Sequence, residues 1–171
     1  MGIRPAKCYR KIERPYTRQS KRRPKKGFVK GVPGSKIHRF EVGDNKTKFP
    51  VRMFLVAKAP AQVRHNALEA ARVNANKPLN DEIGKAGYFL KVRVYPHHVM
   101  RENPLATGAG ADRFQTGMRK AFGRPIGVAA QVRKGQKIIE VRAGAGKQKL
   151  VRKALKRALT KMPMSCEVVS A

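Results

Sequence analysis

Hydrophobic and polar residues alternate most regularly between residues 88 and 95. Phe89, Lys91, Arg93 and Tyr95 face one way, and Tyr88, Leu90, Val92 and Val94 the other. This predicts a strand with one oily face and one basic face. Residues 51–58, VRMFLVAK, form a β-rich apolar run that reads as a mostly buried strand. Pro60 suits the first turn of a following helix. Over 61–75, Val63, Ala67, Ala70, Ala71 and Asn74 share one helical face, and the four apolar members make a small-residue seam suited to lying close on a sheet. The clearest helix is 147–161, where Leu150, Val151, Ala154, Leu155, Ala158, Leu159 and Met162 keep helical spacing and cations fill the rest. Residues 126–133 and 137–142 predict two strands of a hairpin joined at Lys134-Gly135-Gln136. Ile37, Phe40 and Val42, ending at the turn signal Gly43-Asp44-Asn45, predict a short strand, and 164–169 a last one. Gly84 to Gly87 reads as a loop.

This order of elements predicts an α+β fold: an antiparallel or mixed sheet with two helices packed on one face. Two stretches lie outside that pattern. Residues 1–36 are punctuated by Pro5, Pro15, Pro24 and Pro33 and by Gly27, Gly31 and Gly34, and read as an extended arm. Ile3, Cys8, Tyr9, Ile12, Tyr16, Phe28 and Val29 recur through it, which a purely solvated tail does not need. Residues 102–117, with Pro104, Gly108, Gly110 and Gly117, read as a long mobile loop. The expected organisation is an extended basic arm, 1–36, and a single globular α+β domain, 37–171.

Charge turns this architecture toward a class of partner. Forty Lys and Arg oppose ten Asp and Glu, a formal charge of +30. The arm holds thirteen basic side chains and one acid, Glu13, and 147–161 holds seven basic side chains and no acid. Such a surplus repels itself and binds polyanions, and the leading one is nucleic acid, whose phosphates release counterions to Lys and Arg. A membrane surface is the other. Against it, the 147–161 helix has an aliphatic apolar face without Trp or Phe, better suited to covering strands. No apolar run approaches the ~18–20 residues that span a bilayer, and the basic N-terminus has no apolar stretch of a signal peptide behind it. Cys8 and Cys166 form no C-x-x-C pair, and two unpaired thiols fit a reducing cytosol. A hydrophobic content of 41% supports a modest core.

Enzymatic motifs fail on inspection. Val141-Arg142-Ala143-Gly144-Ala145-Gly146-Lys147 sits where a phosphate loop would, but position 141 is not Gly and Gln148 cannot replace the magnesium-binding hydroxyl. Gly108-Ala109-Gly110-Ala111-Asp112 is half a dinucleotide fingerprint without its third Gly. His97-His98 lacks a second ligand pair, and the acids are scattered. Lys21-Arg22-Arg23-Pro24-Lys25-Lys26 has the form of a nuclear import signal, but such runs are common in RNA-binding arms. The expectation is no enzyme, no metal and no cofactor. The aromatic platform of RNA-recognition modules and the helix-turn-helix signature are both missing, so backbone and shape recognition is expected.

Two stretches carry a family resemblance. Met1-Gly2-Ile3-Arg4-Pro5-Ala6-Lys7-Cys8-Tyr9-Arg10 resembles the opening of the archaeal and eukaryotic-type large-subunit ribosomal protein family "ten-e", shared with bacterial large-subunit protein sixteen. The run from Gly110 to Pro125, GADRFQTGMRKAFGRP, resembles that family's most specific motif. Ala67 to Arg72 and Arg93 to Arg101 match as well, so the resemblance covers essentially the whole chain. An end at Ala171, without the longer eukaryotic extension, points to an archaeal form.

The resemblance implies a structural component of the cytoplasmic large ribosomal subunit. Its implied partners are large-subunit rRNA, the 5S rRNA region, neighbouring ribosomal proteins and the A- and P-site tRNAs. On this reading Arg4, Lys7, Arg10, Lys11, Arg14, Arg18, Lys21, Arg22, Arg23, Lys25 and Lys26 of the arm neutralise rRNA phosphates. Lys91 and Arg93 do so from the strand's basic face. The loop 102–116, with Arg101, Gly108, Gly110, Arg113 and Gln115, points toward the tRNA sites. A free RNA chaperone or assembly factor is the alternative.

Overall fold

Among the described residues, eight strands divide between two sheets. The structure, a computed structural model, describes residues 4–12, 29–103, 105–106, 108–115, 117–119 and 121–170. The elements are β1 Glu41–Gly43, β2 Val51–Ala57, β3 Ala61–Arg64, α1 His65–Ile83, β4 Tyr88–Val92, β5 His98–Glu102, β6 Arg124–Val132, β7 Lys137–Ala143, α2 Gln148–Leu159 and β8 Cys166–Ser170. A five-stranded sheet runs β1-β4-β7-β2-β8 and a three-stranded sheet β3-β6-β5. Every pairing is antiparallel. The α+β expectation holds, with two sheets in place of one.

Alternation sorts the faces of the larger sheet. Met53 and Leu55 of β2, Tyr88 and Leu90 of β4, and Ile139 and Val141 of β7 join the main core with both helices. The 147–161 prediction holds residue by residue: Leu150, Val151, Ala154, Leu155 and Ala158 of α2 are buried, and Leu159 and Met162 pack at the core's edge. Helix α1 leans on α2 and on β4. At the outer edge of the sheet, Gly43 has φ +96°, and a Cβ there would lie 2.1 Å from the Tyr88 carbonyl oxygen. Only Gly allows β1 to turn this close to β4.

Three expectations need correction. The stretch 126–133 and 137–142 is no hairpin. Both edges of β6 are occupied, by β3 and β5, while β7 pairs with β2 and β4. The Lys134-Gly135-Gln136 turn crosses between the sheets and is fixed to the end of β2: the Gly135 amide donates to the Ala57 carbonyl at 2.8 Å, and the Ala57 amide donates to the Gln136 carbonyl at 3.1 Å. Second, Pro60 opens a strand and not a helix, because 61–64 pairs with β6. Helix α1 starts at His65 and buries Leu68, Ala71, Ala75, Pro78 and Leu79. Of the predicted seam only Ala71 is fully buried within α1, and Val63 is buried from β3. Third, β5 falls where no strand was expected. Arg93, which follows β4, extends the contact, its amide donating to the Ile138 carbonyl at 2.8 Å.

Candidate nucleic-acid interface

The face of the five-stranded sheet turned away from the helices carries the residues that alternate with the core. Strand register sets them in rows. Gly43, Phe89, Arg142 and Arg52 form one row, and Glu41, Lys91, Glu140, Phe54 and Val169 the next. Glu140 is fully buried at the centre. Arg52 Nε donates to its Oε1 at 2.8 Å, Arg142 Nε to the same oxygen at 2.7 Å, and Arg93 Nη1 to Oε2 at 2.6 Å. The Arg52 guanidinium lies 5.0 Å from the Phe54 ring centre, Lys137 Nζ 4.1 Å from the same ring, and Arg142 5.3 Å from that of Phe89. Lys91 pairs with Glu41 at 2.6 Å. The two sequence-predicted cations of this face, Lys91 and Arg93, therefore both hold an acid. Arg52, Lys137 and Arg142, which sequence reasoning missed, stand beside them. The signal was the alternation of Glu140 and Arg142 with Ile139 and Val141.

Burial alone would raise the Glu140 pKa, but hydrogen bonds from Arg142, Arg52 and Arg93 outweigh it and carry it down to about 2. A carboxyl lowered by folding stabilises the protein above its ordinary value of 4.5, and this contribution is lost as the pH falls toward the folded value near 2. Glu140→Gln should lower the melting temperature at pH 7, and the gap to wild type should close between about pH 4.5 and pH 2. A constant gap across a melting series in that range would show that the carboxylate charge is not what holds the cluster.

The beginning of the arm reaches the smaller sheet. Residues Ala6–Tyr9 form a single 3-10 turn. The Gln62 amide donates to the Arg10 carbonyl at 2.9 Å, and Gln62 Nε2 donates to the Tyr9 carbonyl at 3.1 Å. Tyr9 Oη donates to Glu102 Oε2 at 2.6 Å, and Arg4 pairs with Glu102 at 2.5 Å. Burial first, and then the Glu102 contact, push the Tyr9 phenol up to about 12. Lys7, Arg10 and Lys11 are exposed around this anchor. Arg14, Arg18, Lys21, Arg22, Arg23, Lys25 and Lys26 lie outside the described residues.

Glu102 ends β5 at the base of the loop that returns at Arg124. Arg101 closes that base: Nη1 donates to the Phe122 carbonyl, and the guanidinium lies 3.8 Å from the Phe122 ring centre. Gly110, left-handed at φ 76°, precedes a 3-10 turn that ends at Arg113. Gly108 stands in open space, and Gln115 Nε2 donates to the Ala106 carbonyl. The loop also exposes Phe114 at 84% and Met118 at 86%, large apolar groups that the charge-led reading passed over.

Two motifs weighed in the sequence can be placed among the described residues. Among these residues no group of three or more His, Cys, Asp or Glu gathers to hold a metal. Val141, the first position of the near phosphate loop, is buried inside β7. Gly144 to Lys147 is a short turn in which the Lys147 amide meets the Gly144 carbonyl at 3.4 Å. No helix among the described residues is long and apolar enough to cross a membrane.

The chain matches the family described as Ribosomal protein L16p/L10e over residues 13–169. It is 44% identical over 169 residues to the protein of Archaeoglobus fulgidus named Large ribosomal subunit protein uL16, covering 99% of this chain and 93% of the relative. Identity to the proteins of the same name from Staphylothermus marinus and Picrophilus torridus is 47% and 48%, each over 170 residues, covering 99% of this chain and 94% and 93% of the relatives. These relatives are archaeal, in line with the archaeal reading of the sequence. With the family matched over residues 13–169 and relatives of 44–48% identity spanning nearly the whole length, the chain belongs to the L16p/L10e family of ribosomal proteins.

Proposed function

We propose that this protein is a structural component of the cytoplasmic large ribosomal subunit that binds rRNA, helps to seat the 5S rRNA region and projects its loop toward the A- and P-site tRNAs. It acts as a ribosomal structural protein and not as an enzyme. The near-full-length kinship with relatives named Large ribosomal subunit protein uL16 carries the reading. Charge supports it, because a formal +30 needs a polyanion. In this role the extended arm, residues 1–36, wraps rRNA while the globular domain, 37–171, supplies a rigid body. The phosphate-binding cations are Arg4, Lys7, Arg10, Lys11, Arg14, Arg18, Lys21, Arg22, Arg23, Lys25 and Lys26, with Lys91 and Arg93 on the sheet.

Loop 102–116 serves tRNA more than folding. Its exposed Phe114 buries almost nothing within the chain, and a ring beside Arg113 suits stacking on a nucleobase. Arg101 is the positioning residue, because it ties the outgoing strand to the returning Phe122. Trimming residues 105–110 should leave the melting temperature of the isolated chain nearly unchanged. Reconstituted particles carrying the trimmed chain should assemble but retain tRNA poorly, and Arg101→Ser should act in the same direction. Normal tRNA binding and peptide-bond formation with both changes would mean that the loop is a bystander.

A further inference from the structure

We infer that the open face of the five-stranded sheet is a preorganised phosphate site for the RNA backbone, in which buried Glu140 fixes Arg52, Arg93 and Arg142 with their remaining donors turned to solvent. The inference rests on the rRNA-binding reading and adds to it Arg52 and Arg142, which no sequence motif singles out. Three observations carry it.

The first is an excess of charge. One carboxylate needs one bidentate guanidinium to be satisfied, yet Glu140 holds three. Arg52 and Arg142 stand directly opposite each other across β2 and β7. Like charges so placed are destabilising, and one buried Glu compensates only part of that. The cluster keeps a net charge of about two positive units, and the acid beside it in the same row, Glu41, is taken up by Lys91.

The second is donor geometry. A guanidinium offers five N–H donors, and each of these three spends one on Glu140. The side chains remain 42%, 40% and 32% exposed while Glu140 is sealed beneath them. Phe54 and Phe89 underlie two of the guanidinium planes, which limits their motion. Cations already held in place lose less entropy on binding an anion.

The third selects phosphate over base. Phe54 and Phe89 are each 2% exposed. Rings covered in this way cannot serve as stacking platforms, so the Arg cluster itself presents donors and charge, while the exposed Tyr95 beyond Arg93 is already stacked on Phe40 at 5.4 Å. The arm is a poor occupant, because its thirteen cations would be repelled. A phosphodiester backbone complements the face.

The test is equilibrium binding of the full chain to large-subunit rRNA across a salt series. Removing the three Arg alone would strand Glu140, so the informative variant is R52Q/R93Q/E140Q/R142Q, which exchanges the whole network together, with its fold checked by circular dichroism. Its logarithmic salt slope should be shallower by about 1.5–2, as expected when the cluster's two net positive charges no longer neutralise two phosphates. Glu140→Gln alone adds positive charge but releases the Arg groups. It should bind no tighter than wild type. An unchanged slope in the fourfold variant overturns this inference and leaves the ribosomal reading intact, as does tighter binding by Glu140→Gln. Loss of a neighbouring protein from particles, with rRNA binding unchanged, overturns it in favour of an acidic protein partner. Failure of the wild-type chain to bind rRNA overturns the underlying reading itself.

Discussion

Leu155→Ala is expected to destabilise the isolated chain by about 2–5 kcal/mol, the range for emptying a fully buried leucine site. Leu155 is 0% exposed and sits on α2 between the core face of the larger sheet and α1. In a chain of this length that loss lowers the melting temperature by roughly 5–15 °C. Lys156, one residue on, is exposed on the opposite side of the helix, and Lys156→Ala should be nearly neutral. Equal shifts for both variants in thermal melts would contradict the placement of α2 on the sheet. The same comparison addresses membrane binding, since a helix lying on lipid would leave Leu155 outside the core.

Deleting residues 2–30 should flatten the salt dependence of rRNA binding by several units of logarithmic slope. Every phosphate that the chain ceases to neutralise takes about 0.7–0.9 from that slope, and the deletion takes away every cation from Arg4 to Lys30. The folded domain should survive, because the described contacts of this segment lie at its edge: two hydrogen bonds involving Gln62, the Tyr9 and Arg4 contacts to Glu102, and the Arg64 guanidinium 5.5 Å from the Tyr9 ring centre. An unchanged slope in filter-binding titrations would mean that the electrostatic anchor lies elsewhere, on the sheet face or on the cations of α2.

Local pattern made the strongly periodic elements legible. Helix α2 could be read from Leu150 through Met162 because one continuous stripe faces one core. The alternation in β4 likewise separated Leu90 from Lys91. What local pattern could not carry was pairing. Residues 126–133 and 137–142 look like a hairpin because the turn between them is short. The partners of β7 are β4 and β2, more than forty and more than eighty residues earlier, and their choice depends on where the whole sheet closes. Residues 61–64 were absorbed into a helix because Val63 happens to continue a small-residue period, and only β6 reveals them as a strand. The groups proposed to bind phosphate divide in the same way. The arm's cations could be read from composition. The Arg fan needed three strands, since Arg52, Arg93 and Glu140 are far apart in sequence and meet only across the sheet.

The arm's anchor also joins elements that sequence treats separately. Tyr9 and Arg4 end on Glu102, beside the Arg101 that holds the returning end of the loop. The arm and the loop therefore share a base, although more than ninety residues separate them.

The central claim is that this protein is a resident of the large ribosomal subunit held by rRNA. The most direct measurement is sedimentation of a cell extract through gradients of rising salt, with the chain quantified against 23S-type rRNA in each fraction. The account predicts one copy per large subunit, retained in moderately high salt because many phosphate contacts act together. A chain that leaves the particle at low salt, or that travels with free RNA at substoichiometric level, would contradict it and make the protein a chaperone or assembly factor.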